Sequence, residues 1–223
     1  MKKQRSAPRG VIVFCICIFL LTAVPAQAGE FSVTLLDANG GAAGDGVVSL
    51  TPKDASNSFA QEPLAEAVMD QMDKEFVPYV LPVRTGTRVL FPNSDNIRHH
   101  VYSFSKPKMM ELKLYSKEET NAVVFDKPGV VVLGCNIHDW MVGYIYVADT
   151  PYFAKSDAEG NAVVPVLPPG SYEMQVWHPR LKGKPVSQDV EIPATGTVTR
   201  EIRLPLKKKR NIKRHRRNNY KTY

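Results

Sequence analysis

Short apolar runs separated by turn residues are the feature that most constrains the fold of this chain. Val, Leu, Phe and Tyr cluster in brief stretches between residues 76 and 147, and Gly86 and the Lys127-Pro128-Gly129 segment interrupt them. Stretches this short suit β-strands rather than helices. The 17 Pro and 14 Gly residues supply the turns that such strands need. The pattern predicts an all-β sandwich with strands near 77–83, 89–91, 101–104, 123–125, 130–133 and 144–147.

A second set of alternating stretches lies outside this region. Residues 162–167, 172–177, 186–192 and 198–204 alternate between apolar and polar side chains, and they need partner strands from the chain before residue 53. Segments 31–52 and 156–179 resemble the carboxypeptidase-regulatory-like, transthyretin-like β-sandwich, the second through its D-x-x-G and L-P-P-G-x-Y-x-x-x-V sequences. The resemblance implies a second, smaller β-sandwich, with the central segment inserted into it or appended beside it.

The N-terminus has the composition of a secretory signal peptide. Four Lys and Arg residues precede the apolar run Val11–Val24, and Ala26-Gln27-Ala28 offers a cleavage site between small residues. The apolar run is shorter than the roughly 20 residues that span a bilayer, so we expect a cleaved signal peptide at 1–28 and a periplasmic or secreted protein. Cys15 and Cys17 leave with that segment, which makes Cys135 the only cysteine of the mature chain.

A lone thiol in an oxidising compartment is a liability unless a ligand occupies it. Cys135, His138 and Met141 follow one another at equal spacing in one loop, directly after a valine-rich run. Copper that cycles between two oxidation states is bound by a thiolate, two imidazoles and a weak axial thioether. The second imidazole has to come from another strand, where His99 and His100 both qualify. The pattern predicts a copper site.

Other interpretations of these residues fit less well. Zinc sites are built from Cys and His without thioethers, so Met141 argues against zinc. A Cys–His nucleophile is disfavoured because Cys135 and His138 share one turn and no third group in the sequence is placed to orient the imidazole. We therefore expect no enzyme. Met109 and Met110 stay open as alternative thioethers.

Segment 76–147 resembles the cupredoxins, the small blue copper proteins of plastocyanin and amicyanin type. The motifs that carry the resemblance stand in family order: Phe76-x-Pro78, Val83-x-x-Gly86-x-x-Val89-x-Phe91-x-Asn93, His99-x-Val101, Lys127-Pro128-Gly129 and the Cys-x-x-His-x-x-Met loop. The strings R-H-H-V-Y-S-F-S and G-C-N-I-H-D-W-M-x-G-Y-I are also similar to bacterial proteins of the methylamine utilisation type.

This resemblance implies a Greek-key sandwich that holds one type 1 copper ion through His99, Cys135, His138 and Met141. His99 is the preferred upstream ligand because Asn93 and Val101 align around it. His100 stands where the family has an asparagine that braces the cysteine loop, so it stays an alternative ligand.

The chain divides into five parts on these grounds. They are the signal peptide 1–28, the first strands of the small sandwich 29–60, the cupredoxin domain 64–150, the remainder of the small sandwich 154–206, and a basic tail 207–223. Residues 64–74 have some helical character and equally fit a strand with a turn.

The charge distribution bears on partners. Residues 29–206 carry 16 basic and 22 acidic side chains, a net charge of −6, although the whole chain has +7. We predict a one-electron carrier that acts with a redox partner protein and is a monomer by default. We expect no nucleic-acid partner, and the basic tail could contact an anionic surface. The alternatives are a non-redox copper carrier or sensor, and a structural or adhesive β-sandwich with an incidental metal site.

Overall fold

A computed structural model describes residues 28–54, 66–117 and 119–208. These residues form strands and turns without helices, and among them no helix is long and apolar enough to cross a membrane. In chain order the strands are β1 (Gly29–Asp37), β2 (Val47–Pro52), β3 (Glu66–Val68), β4 (Asp70–Met72), β5 (Glu75–Val77), β6 (Val80–Arg84), β7 (Arg88–Phe91), β8 (His99–Ser105), β9 (Lys108–Tyr115), β10 (Asn121–Val124), β11 (Gly129–Cys135), β12 (Val142–Ala148), β13 (Phe153–Lys155), β14 (Asn161–Leu167), β15 (Gly170–Trp177), β16 (Val186–Ile192) and β17 (Thr197–Leu204).

The central sandwich is formed by β3 to β12. One sheet has the order β6-β12-β11-β8-β9, the other has the order β10-β7-β3, and the β4–β5 hairpin stands beside them. Alternate residues of these strands point into a common apolar core. That core includes Val89, Phe91, Val101, Leu133 and Ile145, each fully buried.

The flanking sandwich combines strands from both ends of the described chain. Strand β1 lies between β14 and β17, while β2 lies between β13 and β15, with β16 at the edge. Phe31, Val33 and Leu35 alternate inward from β1 and pack against β15 residues such as Tyr172 and Met174 in a separate core. The late strands thus pair with strands before residue 53, as the sequence predicts.

A third apolar cluster joins the two sandwiches. Val47 of β2 packs with Val80, Tyr146 and Ala148 of the central sandwich. The Trp177 ring lies 5.7 Å from the Tyr146 ring, centroid to centroid. The flanking sandwich therefore covers the outer face of β6 and β12, which stiffens the strand that leaves the cysteine loop.

The predicted all-β fold with two β-sandwiches is confirmed. Where residues 64–74 allowed a helix or a strand with a turn, the structure has strands from Glu66 onward. Strand β9 was not anticipated, because Met109 and Leu114 on its exposed side mask the alternation of Met110 and Leu112 on the inner side. The signal peptide, apart from its last residue, and the tail beyond 208 lie outside the described residues.

Candidate metal centre

The cysteine and the upstream histidine are brought together by strand pairing. Strand β11 ends at Cys135, and Cys135 pairs with Val101 of β8. Along β8 the side chains of His99, Val101 and Ser103 are buried, whereas His100 lies on the opposite face. Because neighbouring residues of a strand face opposite ways, only one of two adjacent histidines can reach the cysteine side of the sheet.

Three predicted ligands converge in the structure. The Cys135 Sγ atom lies 3.7 Å from Nδ1 of His99 and 3.8 Å from Nδ1 of His138. The possible ligand atoms of all three residues lie within 4.8 Å of one another. Exposure is 0% for His99 and 3% for Cys135, while His138 is half-buried.

These separations fit a single bound ion. A thiolate bonded at about 2.3 Å and an imidazole bonded at about 2.0 Å, with a trigonal angle of about 120°, are separated by about 3.7 Å. Both Sγ–Nδ1 distances agree with that value. One thiolate and two imidazoles in trigonal array are the donor set that type 1 copper uses.

Met141 closes the loop and is buried close to the cysteine. Its N–H donates to the carbonyl oxygen of His138 (2.9 Å), which makes the loop a tight turn. The Met141 side chain is 1% exposed and belongs to the same apolar cluster as Cys135. Of the alternative thioethers, Met109 is 71% exposed, while Met110 packs against the edge of that cluster.

His100 makes a separate set of contacts. Its Nε2 lies 2.9 Å from a Glu111 carboxylate oxygen, and its ring stands edge-on to Tyr102. It does not belong to the group of residues that His99 forms with Cys135 and His138. The geometry therefore places His99, and not His100, beside Cys135 and His138, and His99 as a ligand stays a prediction.

One functional residue was missed by the sequence argument. The Asp95 carboxylate accepts a hydrogen bond from Nε2 of His99, at 2.7 Å, so a third group does orient an imidazole. The expectation of no orienting group concerned His138, and the Asp95 contact is to His99, so that expectation stays a prediction. Cys135 is 3% exposed, so its side chain is enclosed by the protein. The sequence feature that could have indicated Asp95 is its position, an acidic residue four positions before the candidate ligand His99.

The surroundings of Cys135 favour the thiolate, which is the form of cysteine that binds a metal. Burial raises the pKa of Cys135, but its contact with the His99 ring and hydrogen bonds from backbone N–H groups outweigh burial and lower it. Burial opposes protonation of His99, while its contacts with Cys135 and Asp95 raise its pKa overall. Burial and the nearby His99 charge lower the pKa of His138, which keeps that ring neutral and able to donate a lone pair.

No family model matches the chain, and no curated protein matches it either. Among solved structures, it is similar to a copper-containing nitrite reductase (NirK) from Thermus scotoductus SA-01, with 28% identity and a TM-score of 0.37. That similarity covers 45% of this chain and 26% of the reductase, so the chain spans about a quarter of the reductase's length.

Two small copper proteins are matched over nearly their whole length. A purple cupredoxin from Nitrosopumilus maritimus shows 22% identity and a TM-score of 0.33, over 38% of this chain and 99% of that one. An amicyanin variant in its reduced Cu(I) form shows 20% identity and a TM-score of 0.34, over 45% of this chain and 98% of that one. With TM-scores below 0.5 these likenesses are partial, and the function has to be argued from the site itself.

Proposed function

We propose that this protein binds one copper ion as a type 1 centre and carries single electrons outside the cytoplasm. His99, Cys135 and His138 would hold the ion, and the Met141 thioether would supply a fourth, weaker ligand. The observation that carries this proposal is the pair of Sγ–Nδ1 distances, 3.7 and 3.8 Å, which match one ion shared in trigonal array.

A bound copper ion supplies a redox centre that gains one electron as Cu(II) and returns it as Cu(I). The protein's part is to keep the ligands in nearly the same places in both states. His99 is anchored by Asp95, Cys135 by pairing with β8, and the loop by the Met141-to-His138 hydrogen bond. Ligands that are already in position and excluded from water reorganise little when the charge of the ion changes.

Among the described residues of the site, His138 is the most exposed, which suits it to electron exchange with a partner at close range. His138 is half-buried, and its ring lies 5.2 Å from that of Trp140, which is also partly exposed. His99 and Cys135, by contrast, are enclosed. The surface around His138 and Trp140 is therefore the proposed docking area for a redox partner protein.

The signal peptide predicted at 1–28 is the basis for proposing a periplasmic or secreted location, and contact of the basic tail with an anionic surface stays a prediction. An electron carrier and a non-redox copper carrier differ in how they hold the two oxidation states. A carrier of electrons retains the metal through repeated reduction and oxidation, whereas a carrier of copper releases it in one state to an acceptor.

The test is a Cu(II) titration of the purified protein followed by visible spectroscopy. We expect one equivalent of copper to produce an intense visible band that reductant abolishes and reoxidation restores. Cys135→Ala should abolish the band, because the thiolate–copper bond gives rise to it. The matched control is Ile137→Ala, which alters a 48% exposed side chain of the same loop and should leave the band intact. A copper complex without the band, or loss of metal on reduction, would contradict electron transfer.

A further inference from the structure

We propose that Asp95 is a positioning residue of the copper centre: its carboxylate fixes the orientation of His99 and favours the oxidised, divalent ion. This inference rests on the proposed function, because it assigns a role to a group that touches a proposed ligand and does not itself bind the metal.

The Asp95–His99 contact determines which ring nitrogen is available. A carboxylate accepts hydrogen bonds, so the 2.7 Å contact places the proton of a neutral His99 ring on Nε2. The lone pair is then on Nδ1, the atom that faces Cys135 Sγ. Carboxylates that hold the far nitrogen of a ligating histidine fix its tautomer and raise its basicity in metal sites generally.

Asp95 is itself held by the backbone of another hairpin. The N–H groups of Asp73 and Lys74, at the tip of the β4–β5 hairpin, donate to its two carboxylate oxygens at 2.8 and 2.9 Å. Both tip residues have left-handed backbones, with φ of 54° and 60°. Two consecutive left-handed residues form the tight hairpin turn that points adjacent N–H groups to one side.

The loop that carries Asp95 is braced as well. The Asp95 N–H donates to Oδ1 of Asn93, and the Asn93 amide donates to the carbonyl oxygens of Ile97 and Tyr115. The Asp95 side chain is only 14% exposed. The carboxylate is therefore a fixed negative charge, one imidazole ring away from the proposed metal.

Charge balance then gives the direction of the redox effect. The Cys135 thiolate and the Asp95 carboxylate contribute two negative charges beside two neutral imidazoles, so a Cu(II) ion leaves the group neutral. Uptake of one electron gives Cu(I) and leaves a net charge of −1 in a mostly buried site, which costs free energy. The Lys74 side chain is exposed, where solvent and salt screen its charge. Asp95 accordingly lowers the reduction potential.

Asp70 provides a matched control in the same region. Its carboxylate accepts hydrogen bonds from the Ser94 hydroxyl and the Gln71 N–H, each at 2.7 Å, so it braces the same loop. It makes no hydrogen bond to His99 in the described structure. Asp70→Asn removes the same charge as Asp95→Asn without touching the ligand.

The experiment compares the reduction potentials and Cu(II) affinities of the wild-type protein, Asp95→Asn and Asp70→Asn. We expect Asp95→Asn to raise the potential and to weaken Cu(II) binding by about 10–100-fold. Asp70→Asn should change both much less, and Asp95→Glu should retain the lower potential because it keeps the charge. Equal shifts in the two Asn variants, or an unchanged potential in Asp95→Asn, would overturn the proposal.

A measurement on the metal-free wild-type protein covers the case in which Asp95→Asn fails to fold. Imidazole ¹⁵N chemical shifts at a pH where His99 is neutral should show its proton on Nε2. A proton on Nδ1 would overturn the positioning role. If the wild-type protein gives no coloured copper complex while His99 has the Nε2 proton, the copper function fails and the orientation by Asp95 stands.

Discussion

Replacing each of the two adjacent histidines by alanine should give opposite results. His99 is fully buried and donates to an ionised carboxylate, a hydrogen bond worth about 1.5–3 kcal/mol when one partner is lost. The emptied space of the ring adds a cavity cost, so His99→Ala should destabilise the metal-free protein by about 3 kcal/mol. His100 pairs with Glu111, whose side chain is 58% exposed, and a pair of this kind contributes about 0–1 kcal/mol.

The two variants should also differ in copper binding. His99→Ala removes a proposed ligand and should abolish the visible band, whereas His100→Ala should retain it. Urea unfolding of the metal-free proteins measures the stability difference, and Cu(II) titration measures the spectroscopic one. The reasoning is refuted if the two variants unfold alike, or if His100→Ala loses the band while His99→Ala keeps it.

Two further predictions concern the flanking sandwich. A methyl group at Gly46 would lie 2.5 Å from Leu35 Cδ1, so Gly46→Ala should lower the free energy of unfolding by about 1–3 kcal/mol through overpacking. The penalty should be smaller in a Leu35→Ala background, which removes the clashing atom. Additive losses of stability in this double-mutant cycle would contradict the clash. Burial and then the Arg180 charge lower the pKa of His178, whose Nδ1 accepts the Arg180 N–H and whose Nε2 donates to the Gly44 carbonyl. The unfolded state therefore binds a proton on His178 more tightly than the folded state does. The neutral His178 ring stabilises the fold above about pH 6.5, and this stabilisation is lost as the pH falls towards the lower pKa of the folded state. In urea unfolding of the metal-free protein, His178→Gln should flatten this pH dependence, and equal slopes for variant and wild type would contradict the assignment.

Much of the fold follows from local pattern. Strands β11 and β12 are predicted from their own valine- and tyrosine-rich sequences, because alternation and turn residues are local properties. Strand β9 escaped because Met109 and Leu114 on its exposed side interrupt the alternation of apolar and polar residues that indicates a strand. The sequence left residues 64–74 open between a helix and a strand with a turn, because the strands of the β4–β5 hairpin are only three residues long.

The residues of the candidate site also differ in how far they can be predicted from neighbouring positions in the chain. Cys135, His138 and Met141 lie in one loop, so their proximity is a consequence of chain connectivity and can be inferred from spacing alone. Asp95 and its anchor at Asp73 lie 22 residues apart, and nothing in the sequence indicates that a hairpin tip donates to that carboxylate.

The all-β class and a metal-binding role for the cysteine loop can thus be predicted from the sequence alone, since both predictions depend on residues that are neighbours along the chain. The sequence preferred His99 and left His100 open, because local sequence does not show which of two adjacent side chains faces the inner side of a sheet. The pairing of β8 with β11 places His99 on the face that carries Cys135. Asp95 lies only four residues before His99, but its carboxylate is held by the N–H groups of Asp73 and Lys74 in another hairpin, and that contact depends on the packing of sheets and not on local propensity.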